Sequence, residues 1–198
     1  MSRLKLAIVG LVLLVAATYA VLAILLLNSS ARRVPDKPGF TAQEALPSAQ
    51  EAARAWQEDA QLVSANASWR GLPADELLEE EASWAFAYFS PGARALRVLQ
   101  VTPEGAEEAE TMDANPNAKV VDADSWHVDS GEVLSTFLQQ GGRDFLQENP
   151  EATVNLRLGS TEDGGSLVWL AMGISSADKR TIVVQVDPVT GAVKSPAP

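Results

Sequence analysis

The stretch VVQVDPVTGAV, Val183 to Val193, decides the fold because an earlier part of the chain repeats it. It is a β-branched run that ends in Asp-Pro-x-Thr-Gly, and VLQVTPEGA, Val98 to Ala106, matches it 85 residues upstream. The same spacing aligns three further pairs without a gap: Trp84 with Trp169, Ser90 with Ser175, and Arg94 with Lys179. A repeat at a fixed spacing predicts that one structural unit occurs twice.

The end of the quoted stretch predicts a tight turn between two strands. Pro188 presets its own φ for a turn position, and Asp187 can bond the backbone ahead of it. Gly191 supplies the positive φ that returns the chain. In the earlier copy we expect the strand and its proline to be followed by a solvated acidic loop, PEGAEEAETMDANPN.

The N-terminal region has the composition of a membrane anchor. Leu6 to Leu27 contains no charged residue over 22 positions, and a helix of that length spans about 33 Å, against a hydrocarbon core of roughly 30 Å. The sequence predicts a transmembrane anchor over residues 1–30 and an extended linker over 31–40. Small residues at Ser29 and Ala31 leave cleavage as an alternative.

The localisation that follows is the cell membrane, in a single pass. We expect the C-terminal part to be extracytoplasmic, because a long domain after an N-terminal span translocates largely regardless of flanking charge. Beyond Arg33 the chain carries 26 acidic residues against 11 basic ones, a net charge of −15. Such a surface repels phosphate backbones and excludes nucleic acid as the expected partner.

Each copy predicts one helix followed by antiparallel strands. In the first copy a helix is expected to begin near Pro47, with Ser48 and Glu51 as a capping box. SWAFAYFS and ALRVLQVT then predict a hairpin around a Pro-Gly turn. In the second copy Asp129 and Glu132 have capping-box spacing.

The rest of the second copy predicts a sheet of its own. Gly141 and Gly142 interrupt its helix, so that either the helix breaks there or the backbone of the sheet comes close. AKVVDADSWHV is expected to be a strand before the helix, and TVNLRLG, SLVWLAMGIS and RTIVVQVD are expected to be three strands after it.

The predicted fold class is therefore α+β. The N-terminal transmembrane helix is followed by two tandem modules, 41–112 and 113–198, each with one helix packed on a curled antiparallel sheet. Because the strands are apolar on both faces, we expect the uncovered face of one sheet to meet the other copy.

These features resemble the PepSY-like family of cystatin-like modules. The resemblance rests on VQVDPVTGAV, on the strand led by Trp169, and on SWHVDSGEVLSTFL. It covers Val120 to Lys194 well and Thr41 to Val101 more loosely, because the first copy lacks the Thr-Gly pair. The resemblance implies a non-catalytic binding, inhibitory or regulatory module outside the membrane, in a family linked to proteases and cell-wall enzymes.

No residue pattern predicts a catalytic, cofactor-binding or metal site, and no cofactor is expected. His127, the single histidine, is expected to pack or to face solvent. DADSWHVDSGE supplies carboxylates that could suit calcium, namely Asp122, Asp124, Asp129 and Glu132, but the calcium-loop pattern fails and strand-edge and capping roles are expected. The acids of DELLEEE are expected to form a solvated segment: Asp75, Glu76, Glu79, Glu80 and Glu81.

The tryptophans could line a groove. We expect Trp56, Trp84 and Trp169 in the core and expect Trp69 and Trp126 to be freer. The predicted function is a membrane-anchored extracytoplasmic binding or regulatory module, not an enzyme, which contacts the membrane through Leu6 to Leu27 and a protein partner in the cell envelope. An envelope hydrolase of unrecognised type and a structural envelope subunit are the alternatives.

Overall fold

The structure, a computed structural model, describes residues 39–114, 119–161 and 166–194, which all belong to one compact unit. Its first half, 41–114, contains α1 (Ala42–Trp56), β1 (Gln61–Arg70), β2 (Trp84–Ser90), β3 (Ala95–Thr102) and β4 (Gly105–Asp113). Its second half, 119–194, contains α2 (Ser130–Phe137), α3 (Arg143–Glu148), β5 (Thr153–Ser160), β6 (Leu167–Ile174), β7 (Thr181–Val186) and β8 (Val193–Lys194).

The eight strands form a single antiparallel sheet in the order β4-β3-β2-β1-β5-β6-β7-β8. Each half contributes a four-stranded meander, and the two meanders join at β1 and β5 in the centre. Most buried apolar residues of the helices and of both meanders belong to one continuous cluster. The described helices therefore cover the same face of the sheet.

The predicted fold class is wrong, because the two modules do not each have a sheet of their own. Seven residue pairs between Ser64–Arg70 and Thr153–Gly159 join β1 to β5. The copies consequently meet edge to edge within one sheet, and not face to face. This pairing satisfies the backbone groups that would otherwise be left on the exposed edge of each meander.

The predicted anchor and linker fall almost wholly outside the described residues, including the span Leu6–Leu27. Among the residues that the structure describes, no helix is long and apolar enough to cross a membrane. The module ranges 41–112 and 113–198 stay predictions.

The strand registers repeat at the spacing of 85 residues that the sequence indicates. Arg94 and Lys179, which occupy equivalent turns, both adopt a left-handed backbone, with φ of 52° and 59°. The paired residues also coincide after the shift: Trp84–Val101 with Trp169–Val186, and Phe86–Leu99 with Ala171–Val184. The repeat therefore extends to the hydrogen-bonding pattern.

The first helix begins earlier than predicted. Thr41 caps α1, because its hydroxyl accepts from the amide of Glu44 at 3.2 Å while the Glu44 carboxylate accepts from the Thr41 amide at 2.9 Å. Pro47 lies inside the helix on its exposed side, where its ring removes one backbone hydrogen bond. The helix ends at Trp56, and the residues after it enter the sheet.

The sequence pattern also fails to predict two strands. β1 is a central strand, but polar residues at alternate positions make its sequence resemble the end of a helix followed by a loop. β4 replaces the expected acidic loop, and its exposed glutamates suit an edge strand because charge discourages pairing with another chain. The expected strand before α2 is instead a 3₁₀ turn at Ala123–Ser125.

Four tryptophans form a ladder of edge-to-face contacts through the core. Ring centroids are 6.3 Å apart for Trp69–Trp84 and for Trp84–Trp169, and 5.6 Å apart for Trp126–Trp169. The core positions of Trp84 and Trp169 are confirmed, since both are fully buried. Trp69 and Trp126 are buried as well, so the expectation that they are freer is wrong. Trp56 is half-buried beneath the guanidinium of Arg97, 4.6 Å from the ring centroid.

The second helix breaks at its two glycines, as the sequence allows. Gly141 has a φ of +102°, and a tight turn over Leu138–Gly142 separates α2 from α3. A Cβ atom on Gly142 would lie 2.5 Å from the ring of Phe137. The break lets α3 lie close to the sheet, where Phe145 packs against the bare backbone of Gly173.

Candidate binding surface

The face of the sheet opposite the helices, which we call the open face, is not covered by any helix of the described part of the chain. Side chains alternate between the two faces along each strand. Ala87, Phe89 and Val168 are buried, yet they lie outside the core cluster, because they belong to the open face. The open face therefore has buried apolar side chains of its own.

The two halves place large side chains on this face differently. β2 directs three of its four aromatic residues to the helices and directs Ala85, Ala87 and Phe89 to the open face. At the equivalent positions β6 directs Leu170 and Met172 to the open face, followed by Ile174. Because Phe89 is buried, the partly exposed apolar bulk of these two strands lies on β6.

Leu170, Met172, Ile174 and Val183 together form what we call the apolar patch. Val183 of β7 pairs with Met172 across the strands and is 43% exposed. The other three side chains are partly exposed. A row of neighbouring apolar side chains that no described element covers is a surface suited to contact with another molecule.

On the inner strands of the open face, charged residues are few and of one sign. The six inner strands, β3, β2, β1, β5, β6 and β7, place two charged residues there, Arg70 and Arg157. Both are exposed, and neither forms an ion pair with a described residue. Glu107 and Glu110 lie at the β4 edge. The centre of this face is therefore positive within a strongly acidic domain.

Arg157 lies next to the apolar patch. Its cross-strand neighbours are Asn66 on β1 and Leu170 on β6. Its guanidinium bends over Gly159, whose Cβ, if present, would lie 3.5 Å from Nε. Asn66 donates to the hydroxyl of Ser64 at 3.1 Å. A planar guanidinium presents a fork of donors that matches a carboxylate.

The Asp-Pro-x-Thr-Gly turn is confirmed and has a structural role. The Asp187 carboxylate accepts from the amides of Val189 and Thr190, both at 3.0 Å, and Gly191 has a φ of +73°. The amide of Thr190, the ammonium of Lys194 and the amide of Val189 lower the pKa of Asp187 to about 2. The turn thus fixes the end of β7 and its connection to β8.

The same turn holds the segment that contains the single histidine. The amides of His127 and Val128 donate to the carbonyl of Pro188 at 2.9 and 2.8 Å. The side chain of His127 is exposed, and no described serine, threonine or carboxylate bonds its imidazole. The carbonyl of Val128 accepts from the indoles of Trp126 and Trp169 at 2.8 and 2.9 Å. This segment therefore links the turn to the core.

The acids around α2 act as caps. Asp122 accepts from the amide of Asp124 at 3.1 Å. Asp129 and Glu132 form the predicted capping box of α2. Asp129 also accepts from the amide of Gln43 at 3.1 Å, so that one carboxylate caps the first turns of both α1 and α2.

The acidic segment of residues 75–81 is solvent-exposed at its carboxylates, as the sequence predicts. Asp75 pairs with Arg143 at 2.6 Å. Across the described ranges, no group of three or more histidine, cysteine, aspartate or glutamate residues is arranged to hold a metal ion.

The sequence pattern does not single out Arg157 or the apolar patch. The available signal is that SLVWLAMGIS is apolar on both faces, although the described helices lie on only one face of its strand. That signal predicts a second contact surface but does not say whether the other copy or another molecule covers it.

Comparison with known proteins supports the fold alone. No protein family model and no curated protein matches the chain. The fold is similar to that of a candidate lipoprotein from Clostridium difficile 630, with a TM-score of 0.52 over 81% of this chain and 93% of that chain. The two sequences are 11% identical. The PepSY-like resemblance therefore stays a prediction.

Proposed function

We propose that the chain is an extracytoplasmic binding module that holds a protein partner of the cell envelope against the open face of its sheet. The observation that carries this proposal is the apolar patch beside Arg157, which forms no ion pair with a described residue, on inner strands whose only other open-face charge is Arg70. The role is regulatory or inhibitory and needs no chemistry from the module itself.

The composition of the open face supports a protein partner. Protein interfaces are enriched in methionine and arginine and depleted of lysine and glutamate at their centre, and Met172 and Arg157 lie on adjacent strands here. Arg157 adds charge complementarity, because an unpaired guanidinium favours a partner carboxylate. The partner surface is therefore expected to be apolar and to carry one aspartate or glutamate opposite Arg157.

The extracytoplasmic location is supported by two weaker observations. The structurally similar protein is described as a candidate lipoprotein, a class attached to the outside of a membrane. The PepSY-like resemblance of residues 120–194 also implies a module outside the membrane. Both concern the class of protein and not the identity of the partner.

Site-specific photo-crosslinking in the producing cells tests the proposal. A photoreactive amino acid at Val183, on the open face, is compared with one at Val193, which is 45% exposed and pairs with the helix-facing residue Val186. We expect a discrete adduct of one higher mass at Val183 and none at Val193. Equal adducts at both positions, or none at Val183 when the protein is folded and exported, would contradict the proposal.

A further inference from the structure

The first part of β7, residues 181–184, lies at an edge of the sheet with no strand beside it in the described part of the chain. β8 is two residues long and pairs only with Gln185 and Val186. Residues 181–184 therefore pair with β6 on one side alone. We call these four residues the free edge. At about 3.4 Å per residue, the free edge is about 14 Å long.

Two residues of the free edge direct their backbone hydrogen-bonding groups outward. The amide of Asp187 donates to the carbonyl of Ala192 at 2.8 Å, on the side of β8. Backbone groups alternate between the two sides of an antiparallel strand, and the register between β6 and β7 has no shift. The amides and carbonyls of Thr181 and Val183 therefore point away from β6. Both residues are exposed, so these groups are accessible to an added strand.

The opposite edge of the sheet is protected against strand addition, whereas the free edge is not. β4 carries exposed glutamates, and charge on an edge strand discourages pairing with another chain. Residues 181–184 are Thr-Ile-Val-Val, four β-branched residues without a charge. The sequence after β8, Ser-Pro-Ala-Pro, is poorly suited to extend that strand, because two of its four residues are prolines, which have no amide to donate.

The charges at the ends of the free edge favour another protein over a second copy of this chain. Lys179 precedes the free edge, is exposed and forms no ion pair with a described residue. Lys194 of β8 lies at the other end. Two copies paired antiparallel through this edge would bring these cations together, which is unfavourable.

We propose that the envelope partner adds a short extended strand to the free edge, with an acidic residue beside Lys179. The outward groups of Thr181 and Val183 form the backbone hydrogen bonds, and the acidic residue supplies charge complementarity. This inference rests on the proposed function, because Val183 belongs both to the free edge and to the apolar patch. The added strand extends the sheet beside that patch.

Photo-crosslinking from Leu170 tests this inference, because Leu170 lies in the apolar patch on β6 and not on the free edge. Adducts of the full-length chain are compared in the producing cells for Val183→Pro and Val183→Ala. Both changes shorten the side chain, but only proline removes the outward amide, and edge strands tolerate proline at such positions. We expect Val183→Pro to lower the adduct yield at least about tenfold, and Val183→Ala to lower it less than about threefold.

Two further variants keep the test independent of the folding of Val183→Pro. Thr181→Pro, at the first residue of β7, should lower the yield in the same way relative to Thr181→Ala. Lys179→Glu leaves the strand unchanged and should also lower it. Its matched control is Arg94→Glu, because Arg94 is an exposed cation with a left-handed backbone in the equivalent turn of the first half. Arg94→Glu should leave the yield unchanged.

The outcomes separate this inference from the proposed function. An adduct that survives both proline changes in folded protein, or that falls equally with proline and with alanine, would overturn the added strand and leave the proposed function standing. An adduct with the mass of two copies of this chain would identify self-pairing and would also overturn it. The absence of any adduct from Leu170 in the parent chain would contradict both.

Discussion

β2 and β6 occupy equivalent places in the two halves but place different side-chain volumes on the helix side of the sheet. β2 sends aromatic residues to the helix side, and α1 meets them with alanines. β6 sends mostly small residues to the helix side, and α2 and α3 meet them with aromatic ones. The helix-facing residues, in order, are Trp84, Phe86 and Tyr88 in β2 and Trp169, Ala171 and Gly173 in β6.

The difference shows that a repeat in register is not a repeat in packing. Protein interiors are close-packed, so side-chain volume that is missing on the strand must be supplied by the helix. The second half supplies it from Phe137 and Phe145. Its strand is then free to carry Leu170 and Met172 on the open face. The first half places most of its strand bulk in the core, and the second half places part of it on the open face.

The largest effect on stability is expected from truncating a helix residue that packs against the sheet in the second half. Phe145→Ala leaves a cavity above Gly173 and should lower the free energy of unfolding by about 3–5 kcal/mol. Val183→Ala, an apolar truncation on the open face, should stay within about 0.5 kcal/mol. Chemical denaturation of both variants compares the two faces. Similar midpoints would mean that α3 does not pack as described.

The next largest effect is expected from adding a side chain at Gly173, where β6 has none. A Cβ atom on Gly173 would lie 2.8 Å from Cγ2 of Ile182 and from the ring of Phe145. Gly173→Ala should therefore destabilise the fold by about 1–3 kcal/mol. In a double-mutant cycle with Phe145→Ala, most of this cost should disappear. Additive costs would show that the two positions do not share one space.

Local features of the fold can be predicted from the sequence, but the way in which the two copies join cannot. The turn at Asp187 and Gly191, the capping box of α2 and the registers at 85 residues depend on neighbouring or repeated residues, and they are predictable. The β1–β5 pairing joins segments far apart in sequence. Strands apolar on both faces suit two stacked sheets as well as one sheet with an open face, so the pattern leaves the binding surface undetermined.

A smaller effect tests the turn that ends the second meander. Gly191 has a φ of +73°, a region in which a β-branched residue is strained. Gly191→Val should lower the free energy of unfolding by about 1–2 kcal/mol. Ala192→Val, at the exposed neighbour, should change it by no more than about 0.5 kcal/mol. If the two variants unfold at the same denaturant concentration, Gly191 is not required for this turn.

The smallest effect depends on pH and concerns the turn that follows β7. The equivalent position after β3 is Thr102, whereas the second half has Asp187 there. The folded-state pKa of Asp187, about 2, lies below the ordinary value of 3.8 for an aspartate, so its ionised form stabilises the fold above the unfolded pKa. That stability is lost as pH falls through the folded pKa. Asp187→Asn should be less stable than the parent protein at neutral pH, and the difference should vanish near the folded pKa. A difference that is constant with pH would contradict this assignment.

The most direct test of the proposed binding surface measures the photo-crosslinked adduct at Val183 in a variant that reverses the charge of Arg157. Arg157→Glu should abolish the adduct in cells, because it places a carboxylate opposite the expected carboxylate of the partner. Stability should change little, since Arg157 is exposed and unpaired among the described residues. Arg143→Glu, at an exposed arginine outside the open face, should leave the adduct intact. An undiminished adduct in folded Arg157→Glu protein would contradict the claim that this face holds the partner.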